Sequence, residues 1–135
     1  MGTAAAGLIY WLQSHRLRSK WYSQGGNPVK RYGMVIGLKP ETEEKYKQHH
    51  AAVWPAVLEM IHASNIRNYS IYLRNHTLFS YFEYHGTDFA ADMARMAADK
   101  TTQEWWALTM PMQDPLPSRG EGEWWAAMEE VFHLD

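Results

Sequence analysis

Apolar and polar positions alternate along this chain in a way that predicts its elements in order. From Lys30 to Leu38 the sequence KRYGMVIGL is a short, partly β-branched run closed by Pro40, which predicts a buried strand. Glu41, Thr42, Glu43 and Glu44 follow, placing acids in a first helical turn, where they complement the positive end of the helix dipole. The helix is expected to run to about Ala63. Its Tyr46, His50, Val53, Val57 and Ile61 recur at spacings of three and four and so share one face, with Trp54 and Leu58 at its border. Pro55 lacks an N–H and clashes one turn back, so it bends or splits that helix. Between Arg67 and Tyr84, runs rich in Tyr, Ile, Leu and Phe flank Arg74, Asn75 and His76, which predicts a hairpin. Thr87 or Asp88 caps a second helical region through Met96, and Asp99 caps a further helix carrying Trp105 and Trp106 to about Met110. Pro111, Pro115 and Pro117 interrupt regular structure, and the alternation from Met128 to Leu134 predicts a final strand. The order is βαββαβ, the ferredoxin-like α+β arrangement.

Composition narrows what such a domain can do. At 135 residues, 46% hydrophobic and 14% aromatic, the chain has enough apolar surface for one packed core. Thirteen basic against fifteen acidic residues give a net charge of −2, which lacks the positive field that nucleic acid binding draws on. With no cysteine there is no disulfide, thiolate nucleophile or Cys-based metal site, which suits a cytoplasmic protein. No apolar run approaches the ~20 residues needed to cross a bilayer, so no membrane partner is expected. Residues 1–28 differ from the rest: they carry Arg16, Arg18 and Lys20 but no acid, the first acidic residue being Glu41. They read as an N-terminal extension, flexible or packed on a partner, ended by the loop Gly25–Pro28, with the domain spanning residues 29–135.

The chemistry-bearing residues are few. Phosphate-binding glycine loops, the dinucleotide fingerprint, the zinc-protease helix and the serine nucleophile elbow are all absent. His49 and His50 point about 100° apart on a helix and cannot chelate one metal in the i, i+4 manner, so no metal site is expected. His15, His49, His62, His76, His85 and His133 read mostly as ordinary surface or edge residues. His50 lies on the core face one turn after Tyr46 and one turn before Trp54. Either it is a hydrogen-bonded core histidine, or its ordinary pKa near 6.5 serves proton transfer. Trp105 and Trp106 carry the same ambiguity. Adjacent indoles are not expected to face one core together, so one could close a dimer interface, and indoles also stack on the C–H faces of sugars.

Taken in order, Tyr46-x-x-x-His50-x-x-x-Trp54-Pro55, then Asn68-Tyr69-x-Ile71-Tyr72-Leu73, then Trp105-Trp106, then Glu130-Val131-Phe132-His133-Leu134 resemble the L-rhamnose mutarotase family over roughly residues 29–135. That resemblance implies a cytoplasmic homodimer of ferredoxin-like subunits, a dimeric α/β barrel, which interconverts the anomers of a 6-deoxyhexose with no metal or cofactor. It implies His50 as the proton donor, chiefly to the ring oxygen, and Tyr46, Tyr69, Trp105 and Trp106 as sugar-binding residues. The stretch from Met112 to Trp125 departs from the N-P-D-N-S-P-type loop of the rhamnose enzymes, which leaves L-fucose as an alternative sugar and makes this stretch a candidate for setting the preference. The same architecture also hosts haem-binding or haem-degrading proteins and non-enzymatic dimeric sensor domains. A four-stranded sheet with helices on one face leaves its other face to be covered, so dimerisation by sheet packing is expected, with Tyr72, Phe79 and Tyr81 as candidates for the buried surface.

Overall fold

Strand β1, Lys30–Leu38, is the centre of the molecule. In the computed structural model, which describes residues 28–135, it pairs antiparallel with β3 on one side and with two short strands on the other. The elements run β1, a 3₁₀ turn Pro40–Thr42, α1 Glu43–His50, α2 Pro55–Ala63, β2 Ile66–Arg74, β3 Thr77–Tyr84, α3 Phe89–Ala98 and α4 Lys100–Thr109. A second 3₁₀ turn, Met110–Met112, leads to β4 Gln113–Asp114 and β5 Ala126–Met128. Four helices and an antiparallel sheet ordered β2-β3-β1, with β4 and β5 sharing the far edge of β1, make the expected ferredoxin-like α+β fold. The reading of residues 1–28 as an extension falls, Pro28 apart, outside the described residues.

Pro55 splits the first helix. The residue before a proline is pushed out of helical conformation, and Trp54 is extended (φ −60°, ψ 132°), while proline is at ease as the first residue of a new helix. Asp88 caps α3 by accepting from the Ala91 N–H at 3.0 Å, and Asp99 caps α4 by accepting from both the N–H and the hydroxyl of Thr102 at 2.8 Å. The hairpin turns on Asn75 and His76, whose positive φ values of 49° and 56° match the two-residue turn that follows strand twist.

Inward positions of the sheet alternate with outward ones. Met34, Ile36 and Leu38 of β1 and Leu78, Phe82 and Tyr84 of β3 are buried under the helices. They form two clusters, one around Met34, Ile66, Phe82, Met93 and Met96, the other around Ile36, Leu38, Tyr46, Leu78 and Met112. Tyr72 faces Phe79 across the β2–β3 ladder on the opposite side, and both are exposed.

The final strand differs from the sequence expectation of Met128–Leu134. Pairing with β1 covers only Ala126–Met128, opposite Val35–Gly33. Beyond it the chain is tied by a side chain instead: Arg31 donates from Nε and Nη2 to both carboxylate oxygens of Glu130, at 2.7 and 2.9 Å. Val131, Phe132 and Leu134 are 79–88% exposed, so their alternation reports apolar residues with nothing among the described residues to pack against.

Candidate active site

Between the inner face of the sheet and the helices lies a cavity of about 410 Å³, a size suited to a small molecule. Its walls include His50, Val57, Tyr69, Ser80, Thr102 and four tryptophans, Trp105, Trp106, Trp124 and Trp125. Among the described residues, no aspartate, glutamate, lysine or arginine lines it. A charged ligand would go unpaired there at a large desolvation cost, whereas a neutral molecule with apolar faces and hydroxyls is well matched.

His50 ends α1 and reaches the cavity from the break that Pro55 imposes. Its Nδ1 lies 2.9 Å from the Tyr46 carbonyl oxygen, which only accepts, so Nδ1 carries the proton and Nε2 keeps its lone pair in the neutral ring. Burial pulls the imidazole below its ordinary pKa of 6.5, outweighing that backbone hydrogen bond, which acts in the opposite direction. The ring is held on both sides, stacked on Tyr46 with centroids 4.0 Å apart and edge-on to Trp105 at 5.3 Å.

Tyr46 is placed behind His50 and is not a cavity wall. It is buried, its phenol pushed well above its usual pKa by desolvation, and its hydroxyl accepts from the Gln113 carboxamide at 3.4 Å. Tyr69 reaches the cavity through a bulge. Ladder pairing jumps from Arg67–Glu83 to Ser70–Tyr81, so Asn68 and Tyr69 together oppose Phe82. Asn68 takes the strain at φ 51° and donates its amide to Glu83. The extra residue turns Tyr69 from the outer to the inner face, where its ring meets Phe82 edge-on at 5.7 Å. Although the residue is 44% exposed overall, desolvation around its hydroxyl pushes the phenol up to about 12, so it stays a hydrogen-bond donor at neutral pH.

Trp105 and Trp106 both line the cavity, against the expectation that adjacent indoles would not share one core. Trp105 is buried against His50 and Trp54, while Trp106 packs on the Met34–Met96 cluster, so the roughly 100° between them lets each take one side of a concave wall. His49 is also more engaged than a surface residue: its ring is edge-on to Trp105 at 6.4 Å, with Nε2 buried and unpartnered.

Residues not singled out from sequence complete the walls. Ser80 occupies an inward position of β3 between Leu78 and Phe82, and a lone serine in that alternating run was the available signal. Trp124 lies in the Met112–Trp125 stretch marked above as a candidate for setting substrate preference, but nothing in the sequence announces its hydrogen bond to Gln113, which sits in a two-residue strand paired with β1. Among the described residues, no group of three or more His, Cys, Asp or Glu is arranged to hold a metal, and no helix is long and apolar enough to cross a membrane.

Residues 31–134 match the family model for L-rhamnose mutarotase. The chain is 33% identical over 111 residues to an L-rhamnose mutarotase of Opitutus terrae, with 78% of this chain and 98% of the relative covered. It is 31% identical over 108 residues to one of Listeria monocytogenes, covering 78% and 99%. The crystal structure of an L-rhamnose mutarotase from Formosa agariphila superposes with a TM-score of 0.61 at 20% identity, covering 78% of this chain and 99% of that one, which supports the fold. Motifs, fold and family match converge: this chain belongs to the L-rhamnose mutarotase family of isomerases.

Proposed function

We propose that this protein interconverts the α and β anomers of L-rhamnose, or of a related 6-deoxyhexose such as L-fucose, by general acid–base ring opening at His50. The observation that carries this reading is a histidine whose Nδ1 is committed to the backbone and whose neutral form burial favours, in a cavity walled by tryptophans and, among the described residues, by no aspartate, glutamate, lysine or arginine. Nε2 takes the proton of the anomeric hydroxyl O1. As C1=O1 forms, the C1–O5 bond breaks and its electron pair goes to the ring oxygen O5, which takes the proton back from the imidazolium. Both oxygens are bonded to C1, so one nitrogen serves both transfers. Rotation about C1–C2 and the reverse steps give the other anomer. Acid–base catalysis of this kind contributes ~10²–10⁴-fold.

Tyr69 and Ser80 supply hydroxyls to the sugar, Trp105 and Trp106 pack on its C–H faces, and Tyr46 orients His50 from behind. The chemistry calls for no metal or cofactor, and we assign the protein to the cytoplasm as a homodimer joined through the sheet face that carries Tyr72, Phe79 and Tyr81. The test is polarimetry on freshly dissolved α-L-rhamnose and α-L-fucose. The optical rotation is expected to relax faster with protein than in buffer, and relaxation at the buffer rate for both sugars rejects the reading.

A further inference from the structure

The segment between β4 and β5 contributes a second tandem pair, Trp124 and Trp125, to the cavity. Its position is set from both ends. Gln113 pairs with Leu38 in the sheet, and Gly37 admits the neighbouring strand so closely that an added Cβ would lie 2.5 Å from the Asp114 carbonyl oxygen. At the other end the Glu123 carboxylate accepts from the Gly120 N–H at 2.9 Å and the Ala127 N–H at 3.3 Å, pinning the turn before Trp124. Within this frame the Trp124 indole N–H donates to Gln113 Oε1 at 2.7 Å. Gln113 is buried, and its amide nitrogen donates to the Tyr46 hydroxyl at 3.4 Å. A continuous chain thus runs from a cavity wall through one carboxamide to the ring stacked on His50.

An indole has one donor. Trp124 has spent it inside the protein and offers the cavity an apolar ring alone. Given a 6-deoxy sugar in the cavity, the reading proposed above, His50 sits at O1 and O5. The ring atoms adjoining that centre are C2, which bears a hydroxyl, and C5, which bears the methyl. A wall that has no donor to give leaves a hydroxyl unsatisfied and accommodates a methyl. We propose that Trp124 is a specificity-determining residue that reads the C5 methyl of the sugar, and that Gln113 is the positioning residue that fixes its ring.

L-Mannose tests this directly, because it is L-rhamnose with a hydroxyl added to C6. Anomer exchange of the two sugars is compared by magnetisation transfer NMR for the full-length protein and for Trp124→Ala, Trp124→Phe and Gln113→Leu, each checked for folding by circular dichroism. Trp124→Ala is expected to lower the L-rhamnose to L-mannose ratio of kcat/KM about tenfold, the scale on which a pocket reads one small group. Trp124→Phe keeps a ring, so its ratio falls by less. Gln113→Leu frees the indole to turn, which raises KM for L-rhamnose. Folded Trp124→Ala and Gln113→Leu proteins that keep the wild-type ratio and KM overturn the inference while leaving the mutarotase reading intact. A wild-type protein that exchanges neither sugar overturns both. Should Trp124→Ala fail to fold, the ratio in Trp124→Phe and the KM in Gln113→Leu decide: wild-type values in both count against it.

Discussion

The imidazole of His50 is clamped to Tyr46, one turn earlier on the same helix: the rings stack with centroids 4.0 Å apart, and the His50 Nδ1 lies 2.9 Å from the Tyr46 carbonyl oxygen. The backbone therefore chooses the tautomer. Because only a carbonyl faces Nδ1, the nitrogen left to a molecule in the cavity is the basic one.

This arrangement sets a pH dependence. Burial favours the neutral ring, so His50 titrates below 6.5, and the neutral form starts the reaction. The exchange rate is expected to be full above that midpoint and to fall as pH drops through it. The same shift lowers stability toward acid, since the unfolded chain binds the proton more readily. Exchange NMR on L-rhamnose between about pH 4.5 and about pH 8 checks the sign. An acid limb centred above 6.5 contradicts it.

Asp99 links helix capping to the site. It holds the first turn of α4, the helix that carries Trp105 and Trp106. Asp99→Ala removes both hydrogen bonds to Thr102, itself a cavity wall, and is expected to cost about 1 kcal/mol. For a domain of this size that is a fall in Tm of about 4 °C, read by thermal denaturation. An unchanged Tm means that water or another group replaces the cap.

The outer face of the sheet and the chain end predict assembly. Tyr72, Phe79, Val131, Phe132 and Leu134 are large apolar residues exposed in one subunit, more than surfaces usually leave scattered. Light scattering at micromolar concentration is expected to give about twice the 15.7 kDa chain mass, with Tyr72→Glu shifting the protein toward the monomer. A wild-type monomer under those conditions contradicts the homodimer.

Local signals in the sequence were legible where one residue decides the backbone. Pro55 marked the helix break, Asp88 and Asp99 marked two starts, and the Arg74–His76 punctuation marked the hairpin. His50 and Val57 were placed on a common face and do line one cavity, although four residues of irregular chain separate α1 from α2 and the helical periodicity does not run through unbroken. What escaped depended on pairing between distant segments. Tyr69 was named through the family resemblance alone; it reaches the cavity because a bulge flips it across the sheet, and its neighbours in sequence do not announce a bulge. The last strand was placed too late because alternation from Met128 to Leu134 looks the same whether a strand packs within the chain or leaves it. Gln113 and Trp124 lay in a stretch marked for substrate preference, but the hydrogen bond between them, from a two-residue strand to the segment before β5, has no periodicity that could announce it.

The most direct test of the account is two-dimensional exchange NMR on the anomeric protons of L-rhamnose at neutral pH, run with the wild type, His50→Ala and His62→Ala. His62 is exposed and is no cavity wall, so it controls for loss of an imidazole in general. Strong α–β cross-peaks are expected with the wild type and with His62→Ala, and a rate lower by about 10²–10⁴-fold with a folded His50→Ala. Equal exchange by His50→Ala and His62→Ala would contradict the assignment of proton transfer to His50.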